Sequence, residues 1–162
     1  MSQPFPSYFP LPSYTVVGEL VISWAFVEQK IDLCMGVIFD NLDCSAIQTQ
    51  LPRGAKRKVR FLKRAFKEIP ALAPFAAEIA PLLSLAKALA QTRHTTVHGT
   101  LAGYDEQTQE VIFNIVDSEG PEQIIGAQRI VVPEMLRISG QCQDLTAKLH
   151  AVAERLAKAV MG

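Results

Sequence analysis

Apolar residues that recur every three or four positions over two long stretches constrain the fold of this chain most strongly. Because an α-helix has about 3.6 residues per turn, this spacing places the apolar side chains on one side of a helix. The first stretch, residues 15–39, carries Val17, Leu20, Val21, Trp24, Val27, Ile31, Met35 and Ile38. The second, residues 133–160, carries Ile138, Cys142, Leu145, Leu149, Val152, Leu156 and Ala159. Two long helices with narrow apolar faces indicate a helical bundle.

Two shorter helices are predicted between these long ones. Residues 53–69 form the first, and its apolar face consists of Val59, Leu62, Phe66 and Ile69. Pro70 ends it, because proline cannot continue a helix without losing a hydrogen bond. The second spans residues 74–92, begins at Pro74 and is interrupted or kinked by Pro81.

The composition changes over residues 100–132, where β-branched residues form short runs. These runs are Val111-Ile112-Phe113-Asn114-Ile115-Val116, Ile124-Ile125 and Ile130-Val131-Val132. Turn-forming clusters at residues 105–108 and 117–121 separate them. The sequence therefore predicts a mainly α fold: a four-helix bundle-like domain with a small antiparallel β-meander inserted at about residues 100–132, before the last helix.

At 162 residues the chain is long enough for one domain with its own core, which we assign to residues 15–162. Residues 1–14 precede this domain and are rich in proline and aromatic residues: Pro4, Phe5, Pro6, Tyr8, Phe9, Pro10, Pro12 and Tyr14. Proline disfavours a helix and favours extended chain. We therefore predict an extended N-terminal arm that packs on its own domain or on a neighbouring subunit.

The net charge is zero, since 16 basic residues balance 16 acidic ones. The overall charge therefore does not indicate binding to nucleic acid or to an anionic membrane. No apolar run approaches the roughly 18 residues that a membrane span needs, and no signal sequence precedes the first helix. The three cysteines, Cys34, Cys44 and Cys142, are widely spaced, as expected for free thiols in a reducing compartment. We expect a cytoplasmic protein that has no membrane association and uses no cofactor.

Local charge is concentrated in the predicted second helix. Eight of the sixteen basic residues lie within fifteen positions that contain no acid: Arg53, Lys56, Arg57, Lys58, Arg60, Lys63, Arg64 and Lys67. Such a face can follow the phosphates of RNA. The alternative is a solvated face whose charges pair with acids from elsewhere in the chain, and the spacing alone does not decide between the two.

The segment Arg93-His94-Thr95-Thr96-Val97-His98-Gly99 gathers an arginine and two of the three histidines. Imidazole exchanges protons near neutral pH, and guanidinium offers a planar fork of donors to phosphate oxygens. RNA carries its own nucleophile, the 2′-hydroxyl, so proton transfer and charge stabilisation can cleave it without a metal. Arg93 and His98 are candidates for these roles, and their side chains converge if the helix unwinds at Gly99, which we expect in the left-handed conformation.

Two other interpretations of this segment stay open. His94 and His98 are four residues apart, so one helical face presents both to a metal ion, although no acid or cysteine nearby completes a ligand set. Alternatively, the helix dipole stabilises His98 and His94 lies on the surface. Glu28, beside the apolar face of the first helix, needs a basic or donor partner, and whether that partner is Arg93 is open.

Arginine, a polar residue, three further residues and histidine form a pattern that resembles the signature of the HEPN superfamily, read here from Arg93 to His98. HEPN domains are small helical bundles, and their catalytic members are metal-independent ribonucleases that usually act as dimers. The resemblance covers about residues 1–99 and 133–160. It implies that Arg93 contacts the scissile phosphate, that His98 transfers the proton and that His94 orients or assists.

These observations lead to the expectation of a metal-independent endoribonuclease, homodimeric and related to toxin or defence systems. RNA is the expected substrate, and an antitoxin-type protein is a candidate partner. The alternative is a non-catalytic helical module that binds RNA or an acidic protein through residues 53–67. A third interpretation is an interaction protein whose helix 133–160 docks on a partner.

Overall fold

The computed structural model describes residues 11–117 and 124–162. In these residues the elements follow in the order α1 (Leu11–Asn41), α2 (Ala55–Glu68), α3 (Ala76–His98), β1 (Thr100–Asp105), β2 (Glu110–Asp117), β3 (Ile124–Val131) and α4 (Val132–Met161). A short 3₁₀ helix, Pro70–Phe75, joins α2 to α3. The structure is 72% helical, and its one described sheet is antiparallel and precedes the last helix, which confirms the predicted fold class.

Helices α1 and α4 pack along each other and form the centre of the core. The apolar face predicted for α4 is buried from Ile138 to Leu156, whereas Ala159 is exposed near the end of the helix. Trp24 and Ile31 of α1 are buried in the same cluster. Burying one large apolar side chain stabilises the folded state by about 1.5–3 kcal/mol. The apolar face of α4 therefore stabilises the core of its own domain.

Helix α1 begins earlier than predicted, so the extended arm expected over residues 1–14 is wrong for residues 11–14. Pro12 lies in the first turn of the helix, where backbone N–H groups have no acceptor inside the helix. The donor that proline lacks is therefore not missed there. The remainder of the predicted arm, residues 1–10, lies outside the described residues.

Helix α3 begins at Ala76, two residues after the predicted Pro74, and continues through the arginine–histidine segment to His98. The end at His98 agrees with the terminal position predicted for Gly99. The helix is not interrupted at Pro81, which lies in its interior near the N-terminal end. Proline removes one backbone hydrogen bond there, but the neighbouring turns are held by Ile79 and Leu83, which are buried in the core. By length and composition alone, the stretch Pro70–His98 is apolar and long enough to cross a membrane, and 28% of its most apolar part is buried inside the structure.

The sheet is the predicted meander, with β2 between β1 and β3 and both pairs antiparallel. Val111 and Phe113 of β2 are buried, so one face of the sheet packs on the helices. The predicted turn at residues 105–108 is present, and Asp105 Oδ1 accepts hydrogen bonds from the backbone N–H groups of Gln107 (2.9 Å) and Thr108 (3.2 Å). These bonds lower the pKa of Asp105. Of the second predicted turn, residues 118–121 lie outside the described residues.

All three cysteines are free and buried, as the wide spacing predicts. Burial raises the pKa of Cys34 to about 12 and that of Cys142 to about 11. Their thiols therefore stay protonated at neutral pH, and a protonated thiol is a poor nucleophile and metal ligand. All three cysteines pack in the hydrophobic core.

Candidate nucleic-acid interface

A cavity of about 500 Å³ lies between α2 and α3 and is lined by basic side chains from both helices. Its basic lining consists of Lys56, Arg60 and Lys63 of α2 and Lys87, Arg93 and His94 of α3. On α2 the three cations follow at steps of four and three residues, which places them on one side of the helix. None of the described acidic side chains lines the cavity. We call this cavity the basic groove.

The five lysines and arginines of the basic groove have no salt bridge to any acid in residues 11–117 and 124–162. Lys63 Nζ instead donates a hydrogen bond to Ser84 Oγ at 3.2 Å. Cations that lie close together without counter-charges repel each other and attract anions. The groove therefore offers a local positive field in a chain whose net charge is zero.

Apolar side chains form the rest of the lining, among them Val59 of α2, Ala90 of α3 and Trp24 of α1. Trp24 is only 2% exposed, and its indole Nε1 has no hydrogen-bond partner within the described part of the chain. The groove thus combines cationic groups, which can bind phosphate, with an apolar wall. A surface of charged side chains alone would lack such a wall. Trp24 and Lys87 were not predicted as site residues, because nothing in the sequence indicates that α1 and α3 meet α2 here.

The eight basic residues predicted to bind RNA do not form one surface. Lys56, Arg60 and Lys63 line the basic groove, whereas Arg53 and Arg57 line a second hollow beside α1, which also includes Asp32. Lys67 is exposed near the end of α2. The remaining two, Lys58 and Arg64, are neutralised by acids.

Lys58 makes the best-enclosed ion pair of α2. Its Nζ lies 3.1 Å from Glu28 Oε1 and 2.7 Å from Asp32 Oδ1, and its side chain is 13% exposed. Burial disfavours the charged ammonium, but hydrogen bonds and charge attraction from the two carboxylates raise the pKa of Lys58 overall. Glu28 therefore has its basic partner in Lys58, and no salt bridge links it to Arg93 in the described residues.

Arg64 pairs within its own helix, with Nε 3.1 Å from Glu68 Oε1. Its guanidinium also donates to the backbone oxygen of Ile47 at 3.3 Å. Both groups of the ion pair are exposed to solvent, so the interaction is weakened by water and salt. Arg64 therefore links α2 to the preceding loop through its hydrogen bond to Ile47.

Arg93, His94 and His98 lie on a continuous helix, so their directions follow from helical geometry. Arg93 is half-buried and lines the basic groove together with His94, whereas His98 is exposed and lies outside the lining. Arg93 and His98 are five residues apart, which separates their directions by roughly 140° around the helix. The ring centroids of His94 and His98 are 4.6 Å apart, and the two ring planes are inclined by 47°. His94 therefore lines the basic groove and also contacts His98.

Two threonines inside the motif make hydrogen bonds that were not predicted: Thr95 links the motif to the sheet, and Thr96 bonds within the helix. Thr95 is 1% exposed and its Oγ1 donates to Gln128 Oε1 of β3 at 2.8 Å. Thr96 Oγ1 donates to the backbone oxygen of Arg93 at 3.0 Å. Serine and threonine in a helix commonly donate to the carbonyl oxygen three or four residues earlier in the chain. This tendency is the one feature of the sequence from which the bond of Thr96 could have been predicted.

Gly99 does not adopt the predicted left-handed conformation, because its φ and ψ are −75° and 146°. The last turn also does not unwind, since Gly99 N donates to Thr95 O at 2.8 Å. Glycine is required there for space: a Cβ would lie 2.5 Å from Thr95 O and 3.1 Å from Phe113 Cβ. The glycine lets α3 end directly against strand β2.

His94 and His98 share one face of α3, as the metal interpretation requires. Within the described residues, however, no group of three or more histidine, cysteine, aspartate or glutamate side chains gathers to hold a metal ion. The pair therefore has at most two of the ligands that a tetrahedral site needs.

Comparison of the chain with models of known protein families, with curated proteins and with solved structures finds no match. The resemblance of Arg93–His98 to the HEPN signature therefore stays a prediction. Function has to be inferred from the chemistry of the basic groove and from the residues that line it.

Proposed function

We propose that this protein is a HEPN-like, metal-independent endoribonuclease that holds RNA in the basic groove. One observation carries the proposal: the two features that the sequence presents separately, the basic helix and the arginine–histidine segment, meet in one cavity. Lys56, Arg60 and Lys63 approach it from α2, and Arg93 and His94 from α3. The cations proposed to bind the RNA phosphates then lie beside the arginine and histidine proposed to stabilise charge and transfer protons.

The proposed reaction needs no group beyond RNA and these side chains. The 2′-oxygen attacks the adjacent phosphorus while the bond from phosphorus to the 5′-oxygen breaks, which yields a 2′,3′-cyclic phosphate and a 5′-hydroxyl. One imidazole takes the proton of the 2′-hydroxyl and a second donor protonates the 5′-oxygen. Arg93 stabilises the extra negative charge on the phosphate in the transition state. His94 of the groove and His98 are the candidate proton-transfer groups.

A homodimer belongs to this proposal. His98 is exposed and lies outside the groove of its own chain, so it is free to reach the groove of a second copy. Helix α1 also presents large apolar side chains to solvent, with Ile22, Phe26 and Leu33 all more than 40% exposed. Such a row on one helix favours self-association. If His98 acts across the interface, mixing inactive Arg93→Ala and His98→Ala chains restores cleavage that neither shows alone.

The direct test is RNA cleavage by purified protein in EDTA. We expect the wild-type chain to cut single-stranded RNA, with no effect of EDTA, and to leave DNA intact because DNA lacks the 2′-hydroxyl. Arg93→Ala and His98→Ala should each abolish cleavage with unchanged circular dichroism. Arg137→Ala, which removes an arginine paired with Glu134 on α4, is the control and should remain active. Equal cleavage by all four proteins would refute the assigned roles.

A non-catalytic RNA-binding module is the second candidate, and the position of His98 favours it. A nuclease site inside one chain needs both groups at one phosphate, whereas Arg93 lies in the groove and His98 lies outside it. Salt-dependent RNA binding without any product, at every protein concentration, would select this alternative. Co-purification of a small acidic protein on the same cations would instead favour an antitoxin-type partner.

A further inference from the structure

Trp24 is the single tryptophan of the chain, and among residues 11–117 and 124–162 its indole N–H lacks the partner that such a group normally has. It is 2% exposed, yet it belongs to the lining of the basic groove. A buried tryptophan usually donates its N–H to an acceptor, and leaving a buried donor unpaired costs about 1–3 kcal/mol. The Nε1 atom is itself enclosed in the wall of the groove, so a ligand reaches it only when the surrounding side chains move aside. An unpaired donor at such a place is one that an entering ligand can satisfy.

The groove itself supplies many donors and few acceptors. Lysine and arginine side chains only donate, and five of them line it together with Trp24. In the part of the chain that the structure describes, Gln91 and His94 are the lining side chains that can accept a hydrogen bond, and no carboxylate lines the groove. A ligand that fits this site must therefore bring acceptors for the cations and a further acceptor for the indole.

We propose that the groove admits one unpaired base of single-stranded RNA, with Trp24 Nε1 donating to a carbonyl oxygen or ring nitrogen of that base. The cations hold the flanking phosphates, and Val59 and Ala90 contact the faces of the base. A cavity of about 500 Å³ is within the roughly 300–1,000 Å³ of pockets for small organic groups. In a duplex, paired and stacked bases cannot enter such a cavity.

This inference rests on the RNA binding of the proposed function but not on cleavage. Trp24 acts in it as a specificity-determining residue that distinguishes a base from a bare sugar–phosphate chain. The competing placement of the indole, against a phosphate oxygen, requires no base at all. The two placements therefore differ in one measurable property, the dependence of binding on the base.

The first measurement uses the fluorescence of Trp24, which is free of other tryptophan signals. The probes are a short 2′-O-methyl oligouridine, which cannot be cleaved, and the same backbone with every base removed. We expect the oligouridine to change the emission of Trp24 and the abasic chain to bind without changing it. An equal change with both probes, or no change with either bound probe, would overturn the inference.

The second measurement compares Trp24→Phe, which keeps a ring but removes the donor, with the wild-type chain by anisotropy of labelled probes. Losing one hydrogen bond should weaken oligouridine binding about tenfold and leave abasic binding unchanged. The control is Phe61→Leu, a change of similar packing cost at a buried aromatic residue that does not line the groove. It should leave the preference for bases intact.

The outcomes separate this inference from the nuclease. Base-dependent binding without any cleavage supports the role of Trp24 and refutes the enzyme. Cleavage by a protein that binds abasic and base-bearing chains alike refutes the role of Trp24 and leaves the nuclease standing. If no RNA binds at all, both fail. Should Trp24→Phe not fold, the fluorescence comparison on the wild-type chain still decides the matter.

Discussion

Helix α2 presents two sets of basic side chains, and the two sets meet different surroundings. Lys56, Arg60 and Lys63 line a cavity with no acid among its lining residues, whereas Lys58 and Arg64 are held by carboxylates at 2.7–3.1 Å. The sequence presents both sets as one uninterrupted run. A run of like charge therefore defines a helix rich in cations, but only the neighbours decide which cations remain available to a ligand.

Pairs elsewhere strengthen this contrast. Arg129 lies 3.1 Å from Glu110, and Arg155 lies 2.5 Å from Glu78, which ties α4 to α3. Positive charges outside the groove are thus often matched by acids, while the groove concentrates five that are not, within residues 11–117 and 124–162. Because clustered like charges destabilise a compact state, we expect the five cations of the groove to lower the stability of the domain.

The largest effect should come from neutralising the groove side of α2. Lys56→Gln, Arg60→Gln and Lys63→Gln together remove three phosphate contacts, so RNA affinity should fall and the slope of log affinity against log salt should drop by about 2. The melting temperature should stay the same or rise, because repulsion is relieved. Fluorescence anisotropy at several salt concentrations measures the affinities.

A matched control makes this comparison sharp. Arg53→Gln, Arg57→Gln and Lys67→Gln change the net charge by the same amount but lie outside the basic groove. This variant should keep most of the salt dependence of the wild-type chain. Equal losses in the two triple variants would mean that RNA responds to overall charge and that the groove has no special role.

The next largest effect should be on stability, at Gly99, where the end of α3 meets strand β2. Gly99→Ala places a Cβ against Thr95 O and Phe113, so we expect a loss of about 1–3 kcal/mol in the free energy of unfolding. Gly140→Ala, on α4 with open space around it, should instead stabilise the chain by about 0.5–1 kcal/mol. Urea unfolding measures both, and a neutral Gly99→Ala would contradict the close approach.

The smallest effect should come from the neutralised side of α2. Lys58→Met leaves Glu28 and Asp32 without their shared cation and should lower the free energy of unfolding by about 1 kcal/mol at neutral pH. Because the pKa of Lys58 is raised above the ordinary 10.5, its contribution is fully present below that pH and is lost as the pH rises through the higher value. RNA affinity should change little, and a large loss would place Lys58 in the binding site.

Periodicity in the sequence was sufficient for the architecture. The apolar steps that defined the helices, such as Leu145, Leu149 and Val152, are local properties of one element, and burial follows from them. The ends were less predictable: α1 begins at Leu11 because Pro12 fits a first turn, and the last turn of α3 stays helical at Thr95, which bonds to Gln128 of the sheet. Both depend on contacts that a local pattern does not contain.

The site was predictable only in its components. Arg93 and the cations of α2 were predicted to bind phosphate, but their meeting in one groove depends on how α2 packs beside α3. Trp24 was recognised as a core residue, while its unpaired N–H is a property of the folded chain. Gly99 was assigned to the right place for the wrong reason, since close packing and not a positive φ requires it.

The central claim is that RNA lies in the groove between α2 and α3, and photocrosslinking tests it most directly. An uncleavable single-stranded RNA containing 4-thiouridine would be crosslinked to the wild-type chain, and the attached peptides identified by mass spectrometry. We predict attachment within residues 55–63 of α2, residues 87–94 of α3 and at Trp24. Attachment confined to α4 or to the exposed face of α1, with none in these segments, would contradict the account.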